Sequence, residues 1–455
     1  MDALRLSERL SELARRHEVP GASIAVLAGG AVTEAACGTL NRATGVEATT
    51  DSLFQIGSIT KVYTATVVMR LAERGDLALD EPVVSYLPEF AVADPDTTKQ
   101  VTVRHLLAHT SGIDGDHFAD TGRGDDCLER YVETLAEVRQ NHALGATMSY
   151  CNAGYAVLGR LIERVTGKTW DAALAELLIE PLGLTHTVTL PEEALRFRAA
   201  IGHVGKPGEE PQPAPIWGLM RSAGPAGLIC ARAADVIGFA RMHLDAGVAP
   251  DGARLLEAES VAAMQQPQVA VPDRWTLGDH WGLGWILFNW AGRPVYGHDG
   301  NTIGQSAFLR IVPDANIAIA LLTNGGRPGD LYQDIYRELL GELADLEIPR
   351  RPEPPAEPVE TDLSRYVGRY ERAAALIEVT ERDGRLELTV TSTGPLADLM
   401  PEPVQRLTLT AVDATEHLFV TRPEGAETWM PVVFFALPDG GRYVHFGARA
   451  TAKVG

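Results

Sequence analysis

Leu53-Phe54-Gln55-Ile56-Gly57-Ser58-Ile59-Thr60-Lys61 sets a serine and a lysine three residues apart at the mouth of an apolar run. From Ile59 to Arg74 the chain has no Gly or Pro, and it carries Val62, Ala65, Val67, Val68, Met69 and Leu71. Gly75 ends the run as a C-terminal cap glycine does. The pattern predicts a helix with Ser58 and Lys61 one turn apart on one face. Free backbone N–H groups at that helix start can hold an oxyanion. A helix apolar nearly all round is buried, so its first-turn ammonium loses solvation. Such a lysine gives up its proton more easily and can activate a hydroxyl. On its own, S-x-x-K is a short pattern that also arises by chance on surface helices, so the serine needs partners elsewhere in the chain.

The 455 residues suffice for one large and one small domain. A composition of 45% hydrophobic and 22% charged residues is that of a globular protein. The net charge of −21 argues against nucleic acid or an anionic membrane as partner. Cys37, Cys127, Cys151 and Cys230 are far apart and form no C-x-x-C pair, so they signal neither zinc nor a disulfide framework. Met1 to Val19 reads as an amphipathic helix with Leu6, Leu10 and Leu13 on one side and lacks the features of a secretory signal. No run approaches the roughly 18 apolar residues of a membrane span. The expectation is a soluble, cytoplasmic protein.

Ala22–Leu27 and Ala31–Ala36, separated by Gly29-Gly30, read as a hairpin, and a helix before a hairpin points to an α+β sheet. His105 and His109 lie four apart but lack the acidic residue of H-E-x-x-H and a third ligand, so no metal site is expected. Gly167-Lys168-Thr169 resembles the end of a phosphate loop, yet Ile162 stands where the first glycine belongs. Met148-Ser149-Tyr150-Cys151-Asn152 precedes a helical stretch, where a turn and an N-cap would sit. The small residues Ala223 to Leu228 read as flexible, and helix Ala233–Leu244 follows. Trp275, Trp281, Trp285 and Trp290 cluster before Tyr296-Gly297-His298-Asp299-Gly300-Asn301. Phe308–Val312 and Ile317–Leu322 read as buried strands, with helix Leu331–Ala344 packing back on them. Residues 348–361 hold five prolines and form a linker. Beyond it, short alternating segments such as 376–380, 386–391, 406–411, 417–421, 430–436 and 443–446 predict a small antiparallel barrel.

Ser58-Ile59-Thr60-Lys61, Tyr150-Cys151-Asn152 and His298-Asp299-Gly300 follow the order and spacing of the S-x-x-K, Y-x-N and H-x-G motifs. In this the chain resembles the serine β-lactamase and penicillin-binding-protein superfamily, in its class C-like esterase and D-peptidase branch. The segments Arg104–Gly112 and Thr323-Asn324 add to the likeness, which covers roughly residues 1–345. Tyr366-Val367-Gly368-Arg369-Tyr370 resembles the start of the lipocalin-like domain appended to some members. The resemblance implies a catalytic domain over 1–347, an antiparallel sheet flanked by helices with an all-helical region, then the linker and a lipocalin-like barrel over 362–455. The G-x-S-x-G elbow of α/β-hydrolases is absent from the sequence.

By that resemblance Ser58 is the nucleophile that forms an acyl-enzyme, with Lys61, Tyr150 and His298 as its catalytic partners. Lys61 either takes the serine proton directly or holds Tyr150 as a phenolate, with His298 as a second cation; the choice of base stays open. The N–H groups of Ser58 and Asn301 form the oxyanion hole. Asn152, Asp299, Gly300 and Arg449 are the expected substrate-binding residues, with Arg449 delivered by the tail. Asp299 and Cys151 depart from the residues common in relatives, and Cys151 reads as a small buried thiol. No cofactor or metal is expected.

Unexported relatives with this layout include the penicillin-binding-protein-type thioesterases. These take a peptidyl chain ending in a D-residue from a carrier-protein phosphopantetheine thioester and cyclise it head to tail. The resemblance implies that function first, with a cytosolic D-amino-acid-specific peptidase or amidase, or a carboxylesterase, as alternatives. A non-catalytic binding protein is a remote third reading, disfavoured because Ser58, Lys61 and Tyr150 are all present. The peptide, the preferred acceptor (amine or water) and the oligomeric state are not legible in the sequence.

Overall fold

A computed structural model describes residues 2–205, 209–394, 397, 402–423 and 425–454. Its catalytic half is built on a nine-stranded sheet in which every neighbouring pair is antiparallel. In spatial order the strands are Val46–Glu47, Ala31–Asn41, Gly21–Ala28, Ile317–Thr323, Ser306–Val312, Arg293–Asn301, Ile286–Trp290, His280–Trp281 and Val269–Ala270. The N-terminal hairpin thus pairs with a strand some 300 residues on, with Ile24 opposite Leu321.

Strand side chains alternate between faces, and here both faces are covered. Ile24, Val26, Ile319 and Leu321 join the core under helices Ala3–Arg16 and Pro328–Ala344. Ala25, Leu27, Ala320 and Leu322 join the other core, against helix Ala233–Leu244 and the helical region. Double burial is why these strands read as unbroken apolar runs. Helix Pro328–Ala344 starts three residues earlier than its apolar pattern suggests, with Pro328 at the first-turn position that suits proline.

The expected serine helix divides in two. A 3₁₀ turn, Gly57–Ile59, carries the serine, and an α-helix, Thr60–Glu73, carries the lysine. The helix is buried nearly all round and ends at Gly75, whose φ of +77° closes the cap. The supposedly flexible 223–228 segment is instead a short helix, Gly224–Gly227, packed close to Gly159 and Trp170.

Residues 345–362 form no helix or strand. Eight antiparallel strands, from Gly368–Arg372 to Arg449–Lys453, then close into a barrel through pairing of the first with the last, Tyr370 opposite Lys453. Tyr370, Ile377, Leu386, Leu388, Phe434 and Val444 fill its interior.

Candidate active site

The lysine comes first, because its surroundings set the chemistry. Lys61 is fully buried, and its Nζ lies 3.1 Å from Ser58 Oγ and 2.6 Å from the Ala226 carbonyl. The Gly224–Gly227 helix supplies that carbonyl, while the preceding carbonyl, of Pro225, accepts from Thr64. Nζ also sits 4.8 Å from the Tyr150 ring centroid and 5.5 Å from that of Tyr155. Burial lowers the Lys61 pKa well below its ordinary value, and the Arg449 cation adds to the effect. A neutral amine fits the contacts: one N–H donates to Ala226, and the lone pair accepts the Ser58 hydroxyl proton.

Tyr150 is pinned at its backbone, where its N–H donates to the Ala448 carbonyl at 3.0 Å. Its ring packs against His109, Trp281 and His298, with the Arg449 guanidinium 5.0 Å from its centroid. The phenol reaches no partner at full hydrogen-bond geometry among the described residues. Burial raises its pKa, and the nearby Ser58 hydroxyl and Arg449 only partly oppose that. Burial therefore favours a neutral phenol over the phenolate considered above.

Cys151 caps helix Asn152–Thr166, its Sγ accepting from the Gly154 N–H at 3.3 Å. His109, with φ of +56°, accepts the Cys151 N–H on Nδ1 at 3.0 Å. That histidine holds the Y-x-N turn from behind. Among the described residues no group of three or more His, Cys, Asp or Glu side chains could hold a metal ion.

Strand Arg293–Asn301 brings the third motif against the serine turn. The approach is close enough that only glycine fits on both sides. A Cβ on Gly57, where φ is +51°, would lie 2.5 Å from the Asn301 nitrogen, and one on Gly300 would lie 1.8 Å from the Ile56 carbonyl oxygen and 2.9 Å from the Ser58 nitrogen. The two amide nitrogens assigned to the oxyanion hole therefore meet at one seam.

Two expectations about this strand change. His298 is buried, with Nδ1 2.6 Å from the Asp299 carbonyl and Nε2 unpartnered among the described residues, and burial pushes its pKa down to about 3. That shift favours a neutral imidazole over the second cation expected from the sequence. Asp299 faces the cavity, but its carboxylate is held by both terminal nitrogens of Arg310, at 2.5 and 3.0 Å. Arg310 is itself buried, between Phe288 and Tyr332.

The cation at the site is Arg449, from the barrel. The turn that presents it has positive φ at Gly447 and, unusually for a non-glycine, at Ala448 (+71°). Arg449 donates through Nε and Nη2 to Asp116, at 3.0 and 2.7 Å, and through Nη1 to the Gly447 carbonyl at 2.8 Å. Asp116 also receives Arg372 from the first barrel strand and the Asn152 amide at 3.2 Å. Asp116, Arg310 and Arg372 escape a reading by motif, and His109 lies in the Arg104–Gly112 signature without a role assigned from it. Asp114-Gly115-Asp116 begins two residues after that signature, but nothing in it names partners in the tail.

Ser58, Tyr150, Asn152, His298, Asp299, Asn301 and Arg449 all line one cavity of about 490 Å³. Lys61 and Gly300 stand behind its wall. The rest is largely apolar, including Phe118, Leu219, Met220, Trp281 and Ile303.

Comparison with known proteins shows the family of the chain. Penicillin-binding protein 4 of Amycolatopsis lactamdurans is 52% identical over 367 residues, covering 80% of this chain and 96% of that protein. The crystal structure of SurE superposes with a TM-score of 0.78 at 30% identity, covering 99% of both chains. SurE with D-Leu gives 0.76 at 29%, again over 99% of both. The family model for beta-lactamase matches residues 6–342, and on that match the chain belongs to the beta-lactamase family, within the superfamily of the penicillin-binding proteins.

Proposed function

We propose that this member of a serine-hydrolase superfamily is a cytoplasmic acyltransferase acting on a peptidyl thioester that ends in a D-residue, which a carrier protein would present on its phosphopantetheine arm. Ser58 takes the acyl chain, and the chain's own amine or water releases it. One observation carries the reading: the appended barrel places a guanidinium, Arg449, in the wall of the same cavity as Ser58. A hydrolase of small esters has no use for a second domain at that wall. A peptidyl donor presents carbonyls for it to bind. The likeness to SurE, one of whose structures contains D-Leu, supports a D-residue at the activated end.

The chemistry follows from the contacts. Neutral Lys61 takes the Ser58 proton across 3.1 Å as Oγ attacks the thioester carbonyl. The oxyanion lies between the Ser58 and Asn301 N–H groups. The C–S bond breaks as Lys61 passes that proton to the leaving sulfur, so a thiol departs, Lys61 is neutral again and the acyl-enzyme remains. In the second half an amine attacks the ester, Lys61 takes the amine's proton, and that proton returns to Ser58 Oγ as the C–O bond breaks. Neutral Tyr150, beside Lys61, can relay that proton to the departing group. The apolar wall and the barrel limit water near the ester, which favours an amine of the same chain.

The test is a linear peptidyl thioester with a D-residue at the activated end and a free amine. Cyclic product supports the reading. Free acid alone points to a hydrolase or peptidase, and no turnover alongside rapid nitrophenyl-ester cleavage points to an esterase.

A further inference from the structure

One buried carboxylate holds the two domains together at the cavity. The Asp116 side chain is 5% exposed and accepts hydrogen bonds from three side chains in three places. Arg449 opens the last barrel strand, Arg372 ends the first, and Asn152 comes from the Y-x-N motif. Around it the same two barrel turns hold the catalytic domain through the backbone. The Ala373 N–H donates to Asp114 at 2.5 Å, the Ala450 N–H donates to Ser149 Oγ at 3.2 Å, and the Ala448 carbonyl accepts the Tyr150 N–H.

Two guanidiniums share the Asp116 carboxylate, and a second carboxylate, Asp114, lies near Arg372. Burial alone would raise the Asp116 pKa, but Arg449 and Arg372 outweigh it and hold the group ionised, below its ordinary value. Arg449 has five N–H donors, of which Asp116 takes two and Gly447 one. Two remain. Because Asp116 fixes the guanidinium plane by a two-point contact, those two donors have one direction rather than a range.

We propose that Asp116, with Arg372, is a positioning pair that aims Arg449 at the amide carbonyl oxygen that precedes the acyl donor's last residue. Arg372 supplies the charge that balances Asp116 and frees Arg449 to serve the substrate. Neither residue touches the reacting atoms, and both act through Arg449. The inference rests on the reading that Arg449 addresses a peptidyl donor.

The test is a double-mutant cycle of Asp116→Asn and Arg449→Ala, run on the full chain. Three substrates are used: a peptidyl thioester ending in D-leucine, the p-nitrophenyl ester of N-acetyl-D-leucine, and p-nitrophenyl acetate. Each single variant should lose about tenfold in kcat/KM on the first two substrates relative to its loss on the acetate, the scale of one charge-assisted hydrogen bond. The double variant should be no worse than Arg449→Ala alone. Additive losses, or an Asp116→Asn effect within twofold on every substrate, would overturn the proposal. Should Asp116→Asn fail to fold, Arg372→Met against Arg372→Lys decides it. Lysine keeps the charge and one donor and should recover most of the selective loss; equal behaviour of the two variants overturns the proposal. A wild type inert on the thioester but active on the acetyl-leucine ester overturns the proposed function instead, and the cycle is then read on that ester.

Discussion

Replacing Lys61 by Met removes the buried amine while keeping a flexible apolar side chain of similar reach. Two effects follow, and they can be measured separately. The first is kinetic. The Nζ that receives the Ser58 proton is gone, so kcat/KM for p-nitrophenyl butyrate should fall about 10²- to 10⁴-fold, the usual contribution of a positioned base. The second is thermodynamic. Burial depresses the folded pKa of Lys61 far below the ordinary 10.5, so between those values the unfolded chain holds one more proton than the folded one. Wild-type stability must then rise with pH through that window by about 1.4 kcal/mol per unit relative to the variant, and level off above 10.5. The variant also leaves the Ala226 carbonyl without its donor, at a cost of about 1 to 3 kcal/mol that does not vary with pH. The slope, not the offset, is the signature. Urea unfolding of both proteins in half-unit steps from pH 7 to 10.5, followed by tryptophan fluorescence, gives that slope. The wild-type rate profile should reach its plateau well below pH 10. A flat stability difference, or a wild-type rate still climbing tenfold per unit at pH 9, would refute a neutral Lys61.

Three further variants probe other parts of the site. Gly300→Ala drives a Cβ into the Ile56 carbonyl and toward the Ser58 amide, both backbone groups that cannot swing aside. Its kcat should drop about 10²- to 10³-fold, as when one oxyanion donor is lost, and a value within threefold of wild type refutes the seam between Ser58 and Asn301. Arg449→Ala should slow peptidyl thioesters about 10- to 100-fold and small esters far less; equal losses on both argue against a substrate contact. Arg310→Met strands the Asp299 carboxylate and should cost about 3 kcal/mol in urea unfolding, the lower end of the range for a broken buried pair because Asp299 is partly solvated. Adding Asp299→Asn should restore part of that loss, and no recovery would mean that packing, not charge, sets the cost.

The parts of the fold that were legible are those where one local pattern decides the structure. Ile317–Thr323 and Ser306–Val312 are buried on both faces and so read as apolar runs. Ser58 and Lys61 show their relation in a single turn, although the break into a 3₁₀ turn at Gly57–Ile59 depends on the strand pressing against Gly57. The barrel was legible from its inner strands, and the two that close it carry a weaker apolar signal. Gly368–Arg372 offers only Tyr370 to the interior, and Arg449–Lys453 has no large apolar residue. The burial of His298 was not legible because its neighbours in space, Trp281 and Tyr150, lie far from it in sequence. Distance along the chain hides the charge partners too. Asp116 meets Arg372 and Arg449 across 256 and 333 residues, and no motif spans such a gap.

Everything above depends on Ser58 carrying a peptidyl chain as an ester. Intact-protein mass spectrometry, quenched in acid during turnover of a linear peptidyl thioester ending in a D-residue, looks for that ester directly. The expected result is a mass increase equal to the acyl chain, mapped by proteolysis to the peptide containing Ser58, absent in Ser58→Ala and decaying as cyclic product forms. Turnover by Ser58→Ala at the wild-type rate, or an adduct that maps to another residue, would contradict it.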